Sequence, residues 1–130
     1  ADNKLQDPAV IEQQARRMLK DTKARALAEN FAGQWLQLRG LRDHQPDAKT
    51  FPQFTPTLRT AMQEEAYLFV TELIRNDRPV TDLIDANYTF LNEELARHYG
   101  IDGVKGERMQ RIALTDRRRG GVVTMGAVLT

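Results

Sequence analysis

A chain of 130 residues with 41% hydrophobic and 28% charged side chains has the composition of one folded domain, long enough to bury roughly two-thirds of the surface its unfolded form exposes. Its formal net charge of +1 supplies no global field toward nucleic acid or membrane. Cysteine and serine are both absent, which excludes disulfides, thiolate metal sites, covalently attached c-type haem and a Ser-His-Asp triad within this chain.

Charge is unevenly spread. Residues 51–104 hold 4 basic and 9 acidic side chains, and residues 105–130 hold 6 and 2, a pattern expected of solvated helix faces followed by a basic loop. The stretch Ala1-Asp2-Asn3-Lys4 lacks the apolar core of a signal peptide, so any export signal is expected upstream. No apolar run approaches the roughly 20 residues that span a bilayer.

In chain order, Asp7-Pro8 opens the first helix, a cap acceptor followed by proline at the first helical position. Val10, Ile11, Ala15, Met18 and Leu19 recur behind it at helical spacing. Asp21 caps a second helix with an apolar stripe of Ala24, Leu27, Ala28, Phe31, Trp35 and Leu38, expected to be core and to end at Gly40. The two helices suggest a hairpin. Residues 42–56 carry Pro46, Pro52 and Pro56 and read as an irregular connection, with Phe51 and Phe54 expected to plug it onto the core. Thr55-Pro56 opens a third helix lined by Leu58, Met62, Phe69 and Leu73 and stopped by Arg78-Pro79. A short helical piece over 80–84 leads to an extended or turn-like stretch at 85–90. A fourth helix follows from Leu91 to Tyr99, with Thr89 as its expected cap and Gly100 as its stop. Met109 to Leu114 alternates imperfectly, as a strand would, and its expected partner is Tyr88–Phe90. Arg117-Arg118-Arg119-Gly120-Gly121 is a loop, and the apolar 122–130 segment closes the chain.

The chemical inventory is thin. His44 and His98 form no two-histidine helical pair, and no carboxylate sits at the spacing of a metal box, so no metal site is expected. His98 near a helix C-terminus suits a partly charged imidazole complementing the helix dipole. The doublets Glu64-Glu65 and Glu93-Glu94 point in diverging directions on a helix and make no acid/base pair by themselves. Glu93 and Arg97 are spaced for a surface ion pair. Trp35 and the four methionines at 18, 62, 109 and 125 read as core. Two constellations remain as candidate sites. Asp85, Asn87, Glu93 and His98 surround the Tyr88 turn, and would serve an active site completed by neighbouring domains. Arg119, Gly120 and Gly121 could hold an anion or a carbohydrate, with backbone N–H groups and an arginine fork as donors. The one short basic run is too little for nucleic acid.

Three stretches resemble a known family: Phe31-Ala32-Gly33-Gln34-Trp35-Leu36, then Asn87-Tyr88-Thr89-Phe90-Leu91-Asn92-Glu93-Glu94-Leu95-Ala96 with His98-Tyr99-Gly100-Ile101, then Arg119-Gly120-Gly121. The family is a domain of unknown function in large exported multidomain proteins of planctomycetes and related bacteria, often accompanied by cytochrome c modules. The resemblance covers nearly the whole chain. It implies a secreted or periplasmic setting, flanking domains as partners, and haem held in another domain, with no cofactor in this chain. It brings no catalytic residues. Arg117 and Arg118 fall outside its pattern.

These readings converge on a mainly α domain over residues 1–130, a bundle of four to five helices with a small two-stranded β element at 88–90 and 108–114, forming one piece of a larger protein. The expected function is a structural or interaction module, with no enzyme activity of its own. Val122–Thr130 and Arg119-Gly120-Gly121 are expected to face the next domain.

Overall fold

A computed structural model describes residues 7–116 and 118–130. The fold is mainly α, as the periodicity predicts, with six α-helices among the described residues and one two-stranded antiparallel sheet. The helices are α1 (Pro8–Lys20), α2 (Arg25–Trp35), α3 (Pro56–Arg75), α4 (Asp82–Asp85), α5 (Glu93–Tyr99) and α6 (Gly126–Leu129); the strands are β1 (Tyr88–Leu91) and β2 (Gln110–Ala113).

α3 is the axis of the structure. Its Thr55 hydroxyl accepts from the Leu58 N–H while Pro56 occupies the first turn, so the start is fixed by local chemistry. Leu58, Ala61, Met62, Glu65, Ala66, Phe69 and Val70 are all buried along it. α2, α5, α6 and β1 pack around that face. β1 pairs with β2 in the register Tyr88 to Ala113 and Leu91 to Gln110, the pairing the sequence suggests. Tyr88 stacks on Phe69 with ring centroids 5.3 Å apart, which seats the sheet on α3.

Three of the local stops and caps behave as read. Asp7 and Asp21 accept from the Ala9 and Lys23 amides. Gly100 takes the left-handed conformation that ends α5.

Several tertiary expectations are corrected. α2 ends at Trp35 rather than running to Gly40, and Gln37 adopts a positive φ of 54° just beyond it. The buried residues of α2 are Ala28, Ala32 and Gly33. Small residues let its backbone approach α3, and a Cβ on Gly33 would already touch the Tyr67 hydroxyl. The large residues are turned outward: Leu27 and Phe31 are each 52% exposed and Trp35 is 47% exposed. Met18 also lies in solvent, and Phe51 is exposed where Phe54 packs on the core. α3 stops at Arg75, before the proline expected to end it, because Asp77 takes a positive φ of 48°. Leu91 belongs to β1, and α5 is capped by the Asn92 side chain, which accepts from the Leu95 N–H; Thr89 points elsewhere. The 122–130 segment does not turn its apolar side chains outward as a unit. Val122, Met125, Gly126 and Ala127 are buried against this domain's own core.

Two substitutions distinguish the core from the outward stripe. Phe69→Ala is expected to cost about 3–5 kcal/mol, and Trp35→Ala about 1 kcal/mol, the worth of an aromatic stack on the surface. Urea midpoints at unchanged slope would measure both.

Candidate functional site

The chemistry of the domain gathers where α3, β1, α5 and the 119–126 segment meet. Glu65 sits on the buried face of α3, one turn from Met62 and Phe69, and is 1% exposed. Its doublet partner Glu64 diverges as helical geometry requires and binds Arg25 at 2.7 Å. The Glu65 carboxylate accepts from the Thr89 hydroxyl at 2.5 Å and from the Tyr99 hydroxyl at 2.6 Å. The Tyr99 hydroxyl in turn accepts from the Gly126 N–H at 2.7 Å. The Arg119 guanidinium lies 3.7 Å from the centre of the Tyr99 ring, and its Nη1 donates to the Thr124 carbonyl at 2.9 Å.

Burial sets the proton affinities. Removal from water pushes the Glu65 carboxyl up to about 7, against the opposing pull of Thr89, Tyr99 and Arg119. Burial, reinforced by the Glu65 charge, raises the Tyr99 phenol well above its ordinary range. The remaining space between Glu65, Thr89, Arg119, Gly121, Thr124 and Met125 is about 10 Å³, the size of one water at most. The cluster can therefore take up or release a proton, but it has no room for an organic substrate.

The two glycines beside Arg119 make this closure sterically feasible. Gly121 has φ 66°, and a Cβ there would overlap the Leu83 carbonyl; a Cβ on Gly120 would press the Ala86 carbonyl at 2.8 Å. The Gly120 N–H donates to the Thr124 hydroxyl at 3.0 Å. One donor of the expected anion nest is thus spent inside the fold, and Arg119 is engaged by Thr124 and Tyr99. Arg118 pairs with Asp116 at 2.7 Å, while Arg117 lies outside the described residues.

Two open depressions flank Arg119. One, of about 550 Å³, is lined by Tyr99, Ile101, Arg119, Val123 and Leu129 among others. The other, of about 420 Å³, brings together Asp85, Asn87, Arg78, Asp116 and Arg119. Two of the four residues read around the Tyr88 turn thus share a wall with Arg119. Glu93 and His98 do not line it. Glu93 accepts from the Gly106 N–H at 2.8 Å and from Arg97 at 3.1 Å, the expected ion pair. The Gly106 amide holds its carboxyl below the usual range. His98 leans on the Tyr99 ring at 5.6 Å, and partial burial together with Arg119 lowers its pKa. That disfavours the charged imidazole its helix-end position suggests. Among the described residues, no three histidine or carboxylate side chains gather as a metal-binding group.

Sequence reasoning missed Glu65, Thr89 and Tyr99 as a unit. One signal was present: a glutamate standing in the apolar row of Leu58, Met62 and Phe69, where an unpaired charge would be costly.

A mainly helical domain wrapped around an internally satisfied polar centre is the class these features define. The chain belongs to the family described as a protein of unknown function (DUF1592), PSD4, whose model matches residues 1–101. Residues 102–130, with β2 and the Arg119 loop, lie beyond that match. No curated protein and no solved structure shows significant similarity to the chain.

Gly121→Ala is expected to destabilise the domain by more than about 2 kcal/mol, through both a strained φ and a backbone collision. Gly40→Ala, with open space around its Cβ position, should stay within about 0.5 kcal/mol. Thermal melts of the two variants side by side give the comparison.

Proposed function

We propose that this chain is a structural and interaction module of an exported multidomain protein, and that it docks on a neighbouring domain of the same polypeptide through α1 and α2. The observation that carries this reading is the outward apolar ridge of Leu27, Phe31 and Trp35, one residue per helical turn, with Phe31 and Trp35 stacked at 5.4 Å. α1 adds Ile11 and Met18, both at least half exposed, and buries none of its 13 residues. A helix of that length is marginal in water without a partner for its apolar face. A contiguous half-exposed aromatic ridge has the composition of a protein interface, in which tryptophan is the favoured anchor.

The resemblance to exported proteins supports the extracytoplasmic setting, and a c-type haem module is one neighbour it brings into view. The haem would be carried there, since this chain has no cysteine for covalent attachment. The sealed centre around Glu65 supports a mechanical role over a catalytic one. Among the described residues, no helix is long and apolar enough to cross a membrane, so the reading asks for no span from this domain.

Trp35 is the sole tryptophan, so its emission reports directly on the ridge. Within a longer polypeptide carrying the flanking domains, in which other tryptophans are replaced by phenylalanine, Trp35 emission should shift to the blue relative to residues 1–130 alone. Phe31→Glu should lower the Tm of the longer protein by several degrees, as expected for losing about 1–2 kcal/mol of interface. In residues 1–130 alone its effect should be limited to the lost stack with Trp35, about 1 kcal/mol, with the interface loss added to it in the longer protein. Equal solvent exposure of the indole in both contexts would overturn the proposal.

A further inference from the structure

We propose that Glu65 is a proton-operated clasp for the 119–127 segment: the neutral carboxyl keeps the segment seated on α3 and α5, and ionisation loosens it. The geometry makes the segment the lid over this carboxyl. Arg119, Gly121, Thr124 and Met125 form one wall of the water-sized void beside Glu65, and Glu65 of α3, Tyr88 and Thr89 of β1, and Leu114 form the rest. The segment's amide at Gly126 is tied to Glu65 through a single hydroxyl, that of Tyr99. Gly126 itself is closely packed: a Cβ there would crowd Met62 Cε at 2.9 Å and the Tyr99 hydroxyl at 3.0 Å, so Met62 would have to shift. The seat is therefore close-fitting and admits at most one water, short of the hydration that an ionised carboxylate draws.

The groups that act on Glu65 are few and can be named. From β1 comes the Thr89 hydroxyl, from α5 the Tyr99 hydroxyl, and from the segment the Arg119 charge. On its own helix, Glu64 is turned away to Arg25. A hydroxyl can donate or accept. Thr89 can thus serve the ionised carboxylate as donor and the neutral acid as acceptor, so the network stays satisfied in the seated, protonated state. Arg119 favours the ionised form, but desolvation outweighs it, and the carboxyl is raised from 4.5 to about 7. Lifting the segment hydrates Glu65 and returns it toward 4.5. Between those two values, lifting releases one proton. The opening constant should then rise about tenfold per pH unit and level off above pH 7. The contribution to stability is fully present below 4.5 and is lost as pH rises through 7.

Hydrogen exchange on residues 1–130 tests this, with rates referenced to an unstructured peptide of the same sequence. Protection of the Gly126 amide should fall by about tenfold per pH unit between 5 and 7, while the Phe69 and Val70 amides of α3 keep theirs. Glu65→Gln, neutral at every pH, should show a flat profile at Gly126. Tyr99→Phe should lower protection at Gly126 at all pH values and retain the slope. A flat wild-type profile, an equal slope in Glu65→Gln, or loss of α3 protection in step with Gly126 would each overturn the clasp. Carboxyl carbon NMR of the wild-type chain gives a reading that needs no variant: a Glu65 midpoint near 7 is expected, and one near 4.5 refutes the proposal.

Discussion

A carboxylate placed in the middle of an apolar helix face must be satisfied from all sides, and the arrangement of this domain follows from that demand. Glu65 could not be buried at 1% exposure without donors. Support comes from three parts of the chain distant in sequence: donors from Thr89 on β1 and Tyr99 at the end of α5, and the positive charge of Arg119 with the segment behind it. Each brings its element with it. β1 arrives already anchored by Tyr88 on Phe69, and Tyr99 relays the hold to Gly126. Removing one member would leave the others buried and unmatched, which is why a polar centre of this kind specifies one packing more sharply than apolar contacts alone.

Much of the helical framework is legible in the sequence because its signals are local. Asp7-Pro8 and Thr55-Pro56 mark helix starts by a cap bond and a fixed φ, and Gly100 marks a stop by its left-handed conformation. The β1–β2 pairing follows from two short runs that have no other strand to meet among the described residues. What a single sequence does not reveal is which edge of an apolar stripe faces inward. On α2 the row Leu27, Phe31, Trp35 and the row Ala28, Ala32 lie side by side. Side-chain size favours the aromatic row as core, yet the short distance to α3 admits only the small one. The choice is made by the neighbouring helix, and periodicity carries no trace of it. The Glu65 cluster was hidden for the same reason. Thr89 and Tyr99 stand 24 and 34 residues from Glu65, and nothing in their local motifs distinguishes a cap or a core aromatic from a buried hydrogen-bond donor.

The Arg119-Gly120-Gly121 motif shows how one sequence pattern can serve two physical ends. Glycines beside an arginine offer backbone donors to an anion, and that reading needs the amides to be free. Here the Gly120 N–H is bound to Thr124, and both glycines are spent on close approach to residues 83–86. The guanidinium sits over an aromatic ring, where its charge is felt by a buried carboxyl group. Both glycines are held by close approach in this fold, and Gly121 by its positive φ as well.

The inner and outer features of the domain divide its labour. Inside, the polar groups around Glu65 are matched and sealed, leaving a void of about 10 Å³. Outside, the largest unsatisfied features are apolar: the stacked Phe31 and Trp35 on α2, and an α1 with no buried residue. α3 links the two halves, since its one face carries Glu65 and also receives the small-residue edge of α2. Whatever covers the α2 ridge presses on an element that is itself held by the polar centre. Under the docking proposed above, stability gained at the ridge would reach the seat of the 119–127 segment through α3.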